Sequence, residues 1–269
     1  MAPAFAEPPT ELIGGGPGPF LEQLVTGSGE PVTVFAHGFA GDIAGTRPLG
    51  SGVTGRRVFF HFRGHGRSEA PPGPWTFGDL AGDLRTVADL AGATRALGVS
   101  MGAGALSRLL SETPERFERV VFYLPAPLDG VRPEAAVSRV ERLLAAVAVG
   151  DEASIAAAIE PELPAEVRGT AAARSYLRQR VEQVRRHPLA PQLNTLWREP
   201  AVPDETTLAA FAGRALVLGC RGDELHPVAW AERLAGLLPK AALHVYDDPA
   251  VIWHNRRDLR ERISSFFND

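Results

Sequence analysis

Short, nearly continuous apolar runs alternate with segments of helical periodicity along most of this chain. That alternation limits the folds open to it. Pro31-Val-Thr-Val-Phe-Ala36 and Arg57-Val-Phe-Phe-His-Phe62 have the density of large side chains expected of strands buried on both faces. Thr94–Val99, the Val-Val-Phe-Tyr-Leu run within Phe117–Leu124, and Arg214-Ala-Leu-Val-Leu-Gly219 continue the series, and Phe20–Thr26 and Ala242–Tyr246 read as further strands. Between them, Thr76–Ala91 carries Phe77, Leu80, Leu84, Val87 and Leu90 at helical spacing, with Thr76 as its cap. Met101–Ser111, Pro227–Leu238 and Arg257–Phe267 also read as helices. Strands alternating with helices imply an α/β architecture, a mainly parallel doubly wound sheet covered on both faces. Ligands of such sheets gather beyond the carboxyl ends of the strands.

From about Pro133 to Phe211 the rhythm changes to Ala- and Leu-rich helical segments with alternating charge, separated by Pro or Gly. This block reads as an inserted helical cap. The expected division is residues 1–128 for the first part of the core, 129–212 for the cap and 213–269 for the second part of the core. Residues 1–19, rich in Pro and Gly, are expected to be irregular, and residues 40–56 give no clear helix. The 269 residues suit one large domain or a domain with an insertion, and 45% hydrophobic against 22% charged residues permits a sizeable core. A net charge of −4 gives no basic footprint for nucleic acid or an anionic membrane surface. The single cysteine, Cys220, allows no intrachain disulfide and is expected to pack as a small apolar residue. No His/Cys cluster has zinc-like spacing, so no metal is expected. No apolar run is long enough to span a membrane, and the first residues lack the charge pattern of a signal peptide. A cytoplasmic location is the default expectation.

Gly98-Val-Ser-Met-Gly102 lies between a strand pattern and a helix pattern and fits the G-x-S-x-G elbow. A side chain held at the apex of a sharp turn needs neighbours without bulky Cβ groups, because the backbone folds close to itself. The apex hydroxyl then stands at a helix N-terminus, where free N–H groups and the positive dipole end favour a developing anion. A plain strand–helix connection would also tolerate a serine between glycines. A dinucleotide-binding turn is the weaker alternative, since Gly98–Gly104 does not match G-x-G-x-x-G and Gly64-His-Gly-Arg-Ser-Glu69 lacks the third glycine.

Two further segments accompany the elbow: Phe35-Ala-His37-Gly38-Phe39 and Phe62-Arg-Gly-His-Gly-Arg-Ser68. With them the chain resembles the α/β-hydrolase superfamily, in which such segments end the third strand and follow the fourth. The resemblance spans nearly the whole chain outside the first residues and the helical block. The family often has Asp two residues before the Arg of the second segment; here the position is His61, which bears on local loop packing. The resemblance implies Ser100 as nucleophile, followed in chain order by an acid and then a histidine. His254, after the last strand, is the expected base, with His226, at a helix start, read as a cap or pocket residue and His244 as a strand residue. Trp253 stands where the family often has Gly. Asp223, in Gly219-Cys-Arg-Gly-Asp223-Glu-Leu-His-Pro227, is the expected acid, with Glu224 its adjacent rival and Asp129 the second choice. Asp247 and Asp248 read as solvated turn carboxylates. The oxyanion donors implied are the backbone N–H groups of Phe39 and Met101, while His37 braces its loop.

The activity so implied is hydrolysis of a carboxylic ester, lactone or thioester of a small, largely apolar substrate through an acyl-enzyme, with no cofactor. Serine at the elbow disfavours the dehalogenase and epoxide hydrolase chemistries that use an aspartate there. Carbon–carbon bond hydrolysis or perhydrolase chemistry on the same residues, and non-catalytic binding of a small molecule, are the alternatives. His37, Trp197, His226 and Trp253 are candidate pocket residues. Leu193, Leu196 and Phe211 are read either as pocket lining or as packing within the helical block.

Overall fold

The computed structural model describes residues 9–186, 191–194 and 196–269. Its strands are β1 (Glu11–Gly14), β2 (Phe20–Thr26), β3 (Val32–Ala36), β4 (Arg56–Phe60), β5 (Arg95–Val99), β6 (Arg119–Tyr123), β7 (Arg214–Cys220) and β8 (Ala241–Tyr246). They form one sheet in the order β1-β2-β4-β3-β5-β6-β7-β8. From β4 to β8 every neighbouring pair is parallel, whereas β1 pairs antiparallel with β2, and β2 antiparallel with β4.

Alternation across the pleat explains why the central strands read as unbroken apolar runs. Val32, Val34 and Ala36 of β3 face one core layer, and Phe35 faces the other. Val120 and Phe122 of β6 likewise oppose Val121 and Tyr123. The first layer is covered by α2 (Phe77–Ala91), α3 (Met101–Glu112) and α7 (Val228–Leu237). The second is covered by α9 (Arg256–Asn268), whose Leu259, Ile263 and Phe267 are fully buried. Burial on both faces removes the solvated side that would otherwise demand polar alternation. Thr76 caps α2 as expected and forms a full capping box: its Oγ accepts from the Asp79 N–H and the Asp79 carboxylate accepts from the Thr76 N–H.

Two short elements differ from the sequence expectation. Residues 11–14, expected to be irregular, pair with β2 because Gly14, Gly15 and Gly16 at positive φ let the chain reverse into a hairpin. Within residues 40–56, α1 (Ile43–Thr46) forms with Asp42 accepting from the Gly45 N–H as its cap.

Between β6 and β7 run α4 (Glu134–Val149), α5 (Glu152–Ile159) and α6 (Ala171–Arg186). Leu143, Ala146, Ile155, Ile159, Val181 and Val184 make a third apolar cluster, joined to the sheet side through Ala40. The chain returns to the main core before β7: Leu193, Leu196, Leu208 and Phe211 pack in the first core layer. The last short helix, α8 (Val251–His254), follows β8. Among the described residues no helix is long and apolar enough to cross a membrane.

Candidate active site

β5 ends at Val99, and the chain turns into α3 through Ser100, whose backbone lies at φ 49° and ψ −107°. Few side-chain-bearing residues adopt that conformation. The two flanking glycines answer to measurable crowding. A Cβ on Gly98 would stand 2.5 Å from the Gly102 carbonyl oxygen, and one on Gly102 would stand 2.5 Å from that of Ala36. The Ser100 N–H donates to the Tyr123 carbonyl at 3.0 Å, tying the elbow to β6. The turn therefore lifts the Ser100 hydroxyl above the carboxyl end of the sheet.

The imidazole at that hydroxyl belongs to His226. Its Nε2 lies 2.8 Å from Ser100 Oγ, and its Nδ1 lies 3.1 Å from Asp223 Oδ2. A carboxylate can only accept, so Nδ1 carries the proton and Nε2 is left as acceptor for the serine O–H. The other oxygen of Asp223 accepts from the N–H groups of Leu225, at 2.8 Å, and His226, at 3.0 Å. One carboxylate thus fixes both the turn after β7 and the ring at its end. Burial alone would raise the Asp223 pKa, but the hydrogen bond and charge of His226 and the two backbone donors outweigh it and hold it below the usual range.

His254, the base expected from the sequence, is not the imidazole at Ser100. It sits at the end of α8 instead of in a free loop, and its backbone N–H donates to Ala250. Its Nδ1 bonds Asp248 Oδ2, and its Nε2 faces Glu166 Oε1 at 3.5 Å. Asp248, first by hydrogen bonding and then by charge, raises the His254 pKa. Asp248, expected as a plain turn carboxylate, is thereby a partner of His254. Trp253 directs its ring against Tyr176 on α6, with centroids 5.5 Å apart. The short helix turns the loop after β8 into a wall facing the helical segment. Of the rival acids, Asp129 is tied to Arg233 at 2.6 Å, and exposed Glu224 lines the cavity beside Asp223.

His37 is buried, with Nδ1 donating to the Gly38 carbonyl at 2.7 Å and Nε2 accepting from the Phe62 N–H at 3.1 Å. Burial, reinforced by the nearby His65 and His61 rings, holds its pKa well below the usual value and keeps it a neutral brace. His61 fills the position where the resemblance leads one to expect Asp. Its Nε2 accepts from the Ile43 N–H at 3.1 Å and its Nδ1 donates to Glu22 at 2.8 Å, so it supports the loop after β3 from beneath. That loop carries Phe39. Among the described residues, neither the Phe39 nor the Met101 N–H donates to another backbone group.

A cavity of about 850 Å³ opens over Ser100. Phe39, Met101, Leu143, Leu163, Leu196 and Trp253 supply apolar walls, and His37 and His226 also line it. Leu193 and Phe211 belong to the core, and the Trp197 side chain lies outside the described residues. Among the described residues no three His, Cys, Asp or Glu side chains are grouped so as to hold a metal ion. His226, expected as a cap or pocket residue, does line the cavity; its contact with Ser100 is what the sequence did not predict, and the signal available was its three-residue spacing from Asp223 ahead of Pro227.

Several solved structures share this fold. An enol-lactonase from Burkholderia xenovorans is 20% identical with a TM-score of 0.78, covering 93% of this chain and 97% of its own. A thermophilic esterase from Thermogutta terrifontis is 22% identical with a TM-score of 0.71, covering 97% of this chain and 98% of its own. A meta-cleavage product hydrolase from Pseudomonas fluorescens is 16% identical with a TM-score of 0.74, covering 93% of this chain and 94% of its own. At these identities the likeness carries the fold alone. No curated protein matches the sequence. The profile described as alpha/beta hydrolase fold matches residues 31–265, and with the eight-stranded sheet and the elbow at Ser100 this establishes that the chain belongs to the alpha/beta hydrolase fold family.

Proposed function

We propose that the protein is a serine hydrolase that cleaves a carboxylic ester, lactone or thioester of a small, largely apolar molecule through an acyl-enzyme. The observation that carries this reading is the continuous hydrogen-bonded line from Ser100 Oγ to His226 Nε2 and from His226 Nδ1 to Asp223. Serine is a weak nucleophile until a neighbouring base can take its proton. In the proposed reaction, Ser100 Oγ attacks the carbonyl carbon while His226 Nε2 accepts the hydroxyl proton. Asp223 stabilises the imidazolium so formed. The N–H groups of Phe39 and Met101 receive the oxyanion. His226 then returns its proton to the leaving group. In the second half, His226 draws a proton from water, which attacks the acyl carbon and regenerates Ser100.

We read the helices between β6 and β7, residues 129–212, as a lid over the cavity, and we place the protein in the cytoplasm with no cofactor. Apolar residues from both sides of the cavity suit an apolar acyl or leaving group. Neighbours named as an esterase, an enol-lactonase and a meta-cleavage product hydrolase keep ester, lactone and carbon–carbon bond hydrolysis within the class to be assayed.

The test is turnover of a graded series of acyl esters, lactones and thioesters by wild type and Ser100→Ala, with a fluorophosphonate to label the nucleophile. Turnover should fall on the order of 10⁴-fold or more in the variant, and the label should sit on Ser100. Near-normal turnover in Ser100→Ala would remove the assignment.

A further inference from the structure

The turn that carries the Phe39 N–H is held from two sides. On the sheet side, His37 and His61 brace it through Gly38 and Ile43. Its closure is internal: the Gly41 N–H donates to the Gly38 carbonyl at 2.9 Å. Between these residues Ala40 adopts φ +52°, a left-handed conformation that a residue with a Cβ keeps only when its surroundings over-determine it. Those surroundings come from the helical segment. Ala40 is buried in the same cluster as Leu143, Ile155 and Val181. Its carbonyl accepts two side-chain donors from α6, Arg180 Nη1 at 2.7 Å and Gln183 Nε2 at 3.2 Å.

Arg180 is itself aimed by a half-buried acid, Glu162. Glu162 Oε1 accepts from Arg180 Nη2 at 3.2 Å, Glu162 Oε2 accepts from Arg180 Nε at 3.3 Å, and the Tyr176 hydroxyl donates to the same carboxylate at 2.7 Å. Arg180, Glu162, Tyr176 and Phe39 all line the cavity over Ser100. A guanidinium fork held at both nitrogens of one edge by a carboxylate has little freedom left, so its remaining nitrogen delivers a fixed donor.

We infer that Arg180 is a positioning residue for catalysis, acting through the Ala40 carbonyl to hold the Phe39 N–H in its oxyanion-binding orientation. This rests on the oxyanion role proposed above for Phe39. It makes the docking of α6 a condition for the chemistry as well as for enclosing the cavity. If α6 moves away, the left-handed turn loses both outer donors and the Phe39 N–H drifts. An oxyanion donor contributes mainly in the transition state, so the loss falls on the chemical step.

The experiment compares wild type, Arg180→Met, Arg180→Lys and Gln183→Ala on a short-chain p-nitrophenyl ester and in the rate of Ser100 phosphonylation by a fluorophosphonate. Arg180→Met should lower kcat by about 10- to 100-fold, the scale set by misplacing one oxyanion donor without deleting it. KM should stay within about threefold of wild type, as expected when ground-state binding is untouched. Phosphonylation should slow in proportion to kcat. Arg180→Lys should recover part of the loss by supplying one donor to Ala40, and Gln183→Ala should show a smaller loss than Arg180→Met. Arg180→Met leaves half-buried Glu162 with the Tyr176 hydroxyl but no counter-charge, so the Glu162→Leu/Arg180→Leu double variant is measured beside it and should show the same loss of kcat. A folded Arg180→Met or double variant with kcat within about twofold of wild type, a loss carried by KM instead, or a lysine no better than methionine would each overturn the inference. A wild-type enzyme whose Ser100 takes no label, and whose turnover survives Ser100→Ala, would remove the hydrolase reading itself, and this inference with it.

Discussion

The sharpest division concerns two histidines. His226 presents Nε2 to Ser100 Oγ at 2.8 Å, whereas His254 has both ring nitrogens turned to Asp248 and Glu166. His226→Ala removes the proton acceptor from the hydroxyl and leaves Asp223 with only its backbone donors. General acid–base transfer alone is worth roughly 10² to 10⁴ in rate. In the proposed reaction the three residues act as a unit, so the loss should extend to roughly 10⁴ to 10⁶ in kcat. His254→Ala removes an exposed ring from the end of α8 and touches neither Ser100 nor Asp223. It should leave kcat near wild type. Saturation kinetics on an activated ester, with circular dichroism to show that both variants fold, separate the two. The rate of Ser100 phosphonylation should follow the same split, because that reaction also needs the hydroxyl deprotonated. A folded His226→Ala that keeps most of its turnover, alongside a His254→Ala that loses about 10³-fold or more, would falsify the assignment of the base.

Ser100 is strained, and glycine is the residue suited to its backbone. Relief of a conformation costing about 1–3 kcal/mol, less about 0.5–1 kcal/mol for the added freedom of unfolded glycine, predicts that Ser100→Gly folds more stably than wild type by up to about 2.5 kcal/mol while losing turnover. Urea melts measure it, and a clear loss of stability would refute the strain argument. Acid stability has two steps of known sign. Burial pulls the His65 pKa from 6.5 to about 4, so as pH falls the unfolded chain takes up this proton first. That share of stability is full above pH 6.5 and declines between 6.5 and 4. Glu22 behaves likewise at lower pH: burial opposes its ionisation, but hydrogen bonds from His61, Thr10 and the Arg67 N–H hold it at about 2 against 4.5, so its share declines between those values. Melts from pH 7 to pH 3 should show His65→Gln with a flatter upper step than wild type; identical slopes would remove the account.

The sheet was legible because its central strands are buried on both faces, and unbroken runs such as Val32–Ala36 admit few other environments. The elbow was legible because crowding leaves glycine as the fitting residue at 98 and 102. β1 was not, since Glu11–Gly14 has neither the length nor the apolar density of an inner strand and is stabilised mainly by the hairpin that its own glycines form. Nor was the anchoring of Ala40: Arg180 follows it by 140 positions, and nothing local to either residue announces the bond. His61 stands where the resemblance leads one to expect Asp. Its meaning needed the three-dimensional partners Ile43 and Glu22, which show an imidazole doing loop-bracing by accepting on one side and donating on the other.

The imidazole beside Ser100 comes from the loop after β7, one strand earlier than chain order predicts. Chain order places the imidazole after the last strand, and His254 satisfies that order. Order, however, specifies topology and not reach. The turn after β7 ends close to the elbow, and a histidine three residues beyond Asp223 can lie back over the same carboxylate that caps its backbone. The proposed acid and base then ride on one short loop whose geometry a single side chain sets. The loop after β8 no longer has to deliver a ring to Ser100. It can close into α8, place Trp253 against Tyr176 and join His254 to Glu166 of the helical segment. With the proposed base supplied from the loop after β7, position 253 is free to hold Trp, where a reaching loop would favour glycine, and that residue becomes part of the cavity wall.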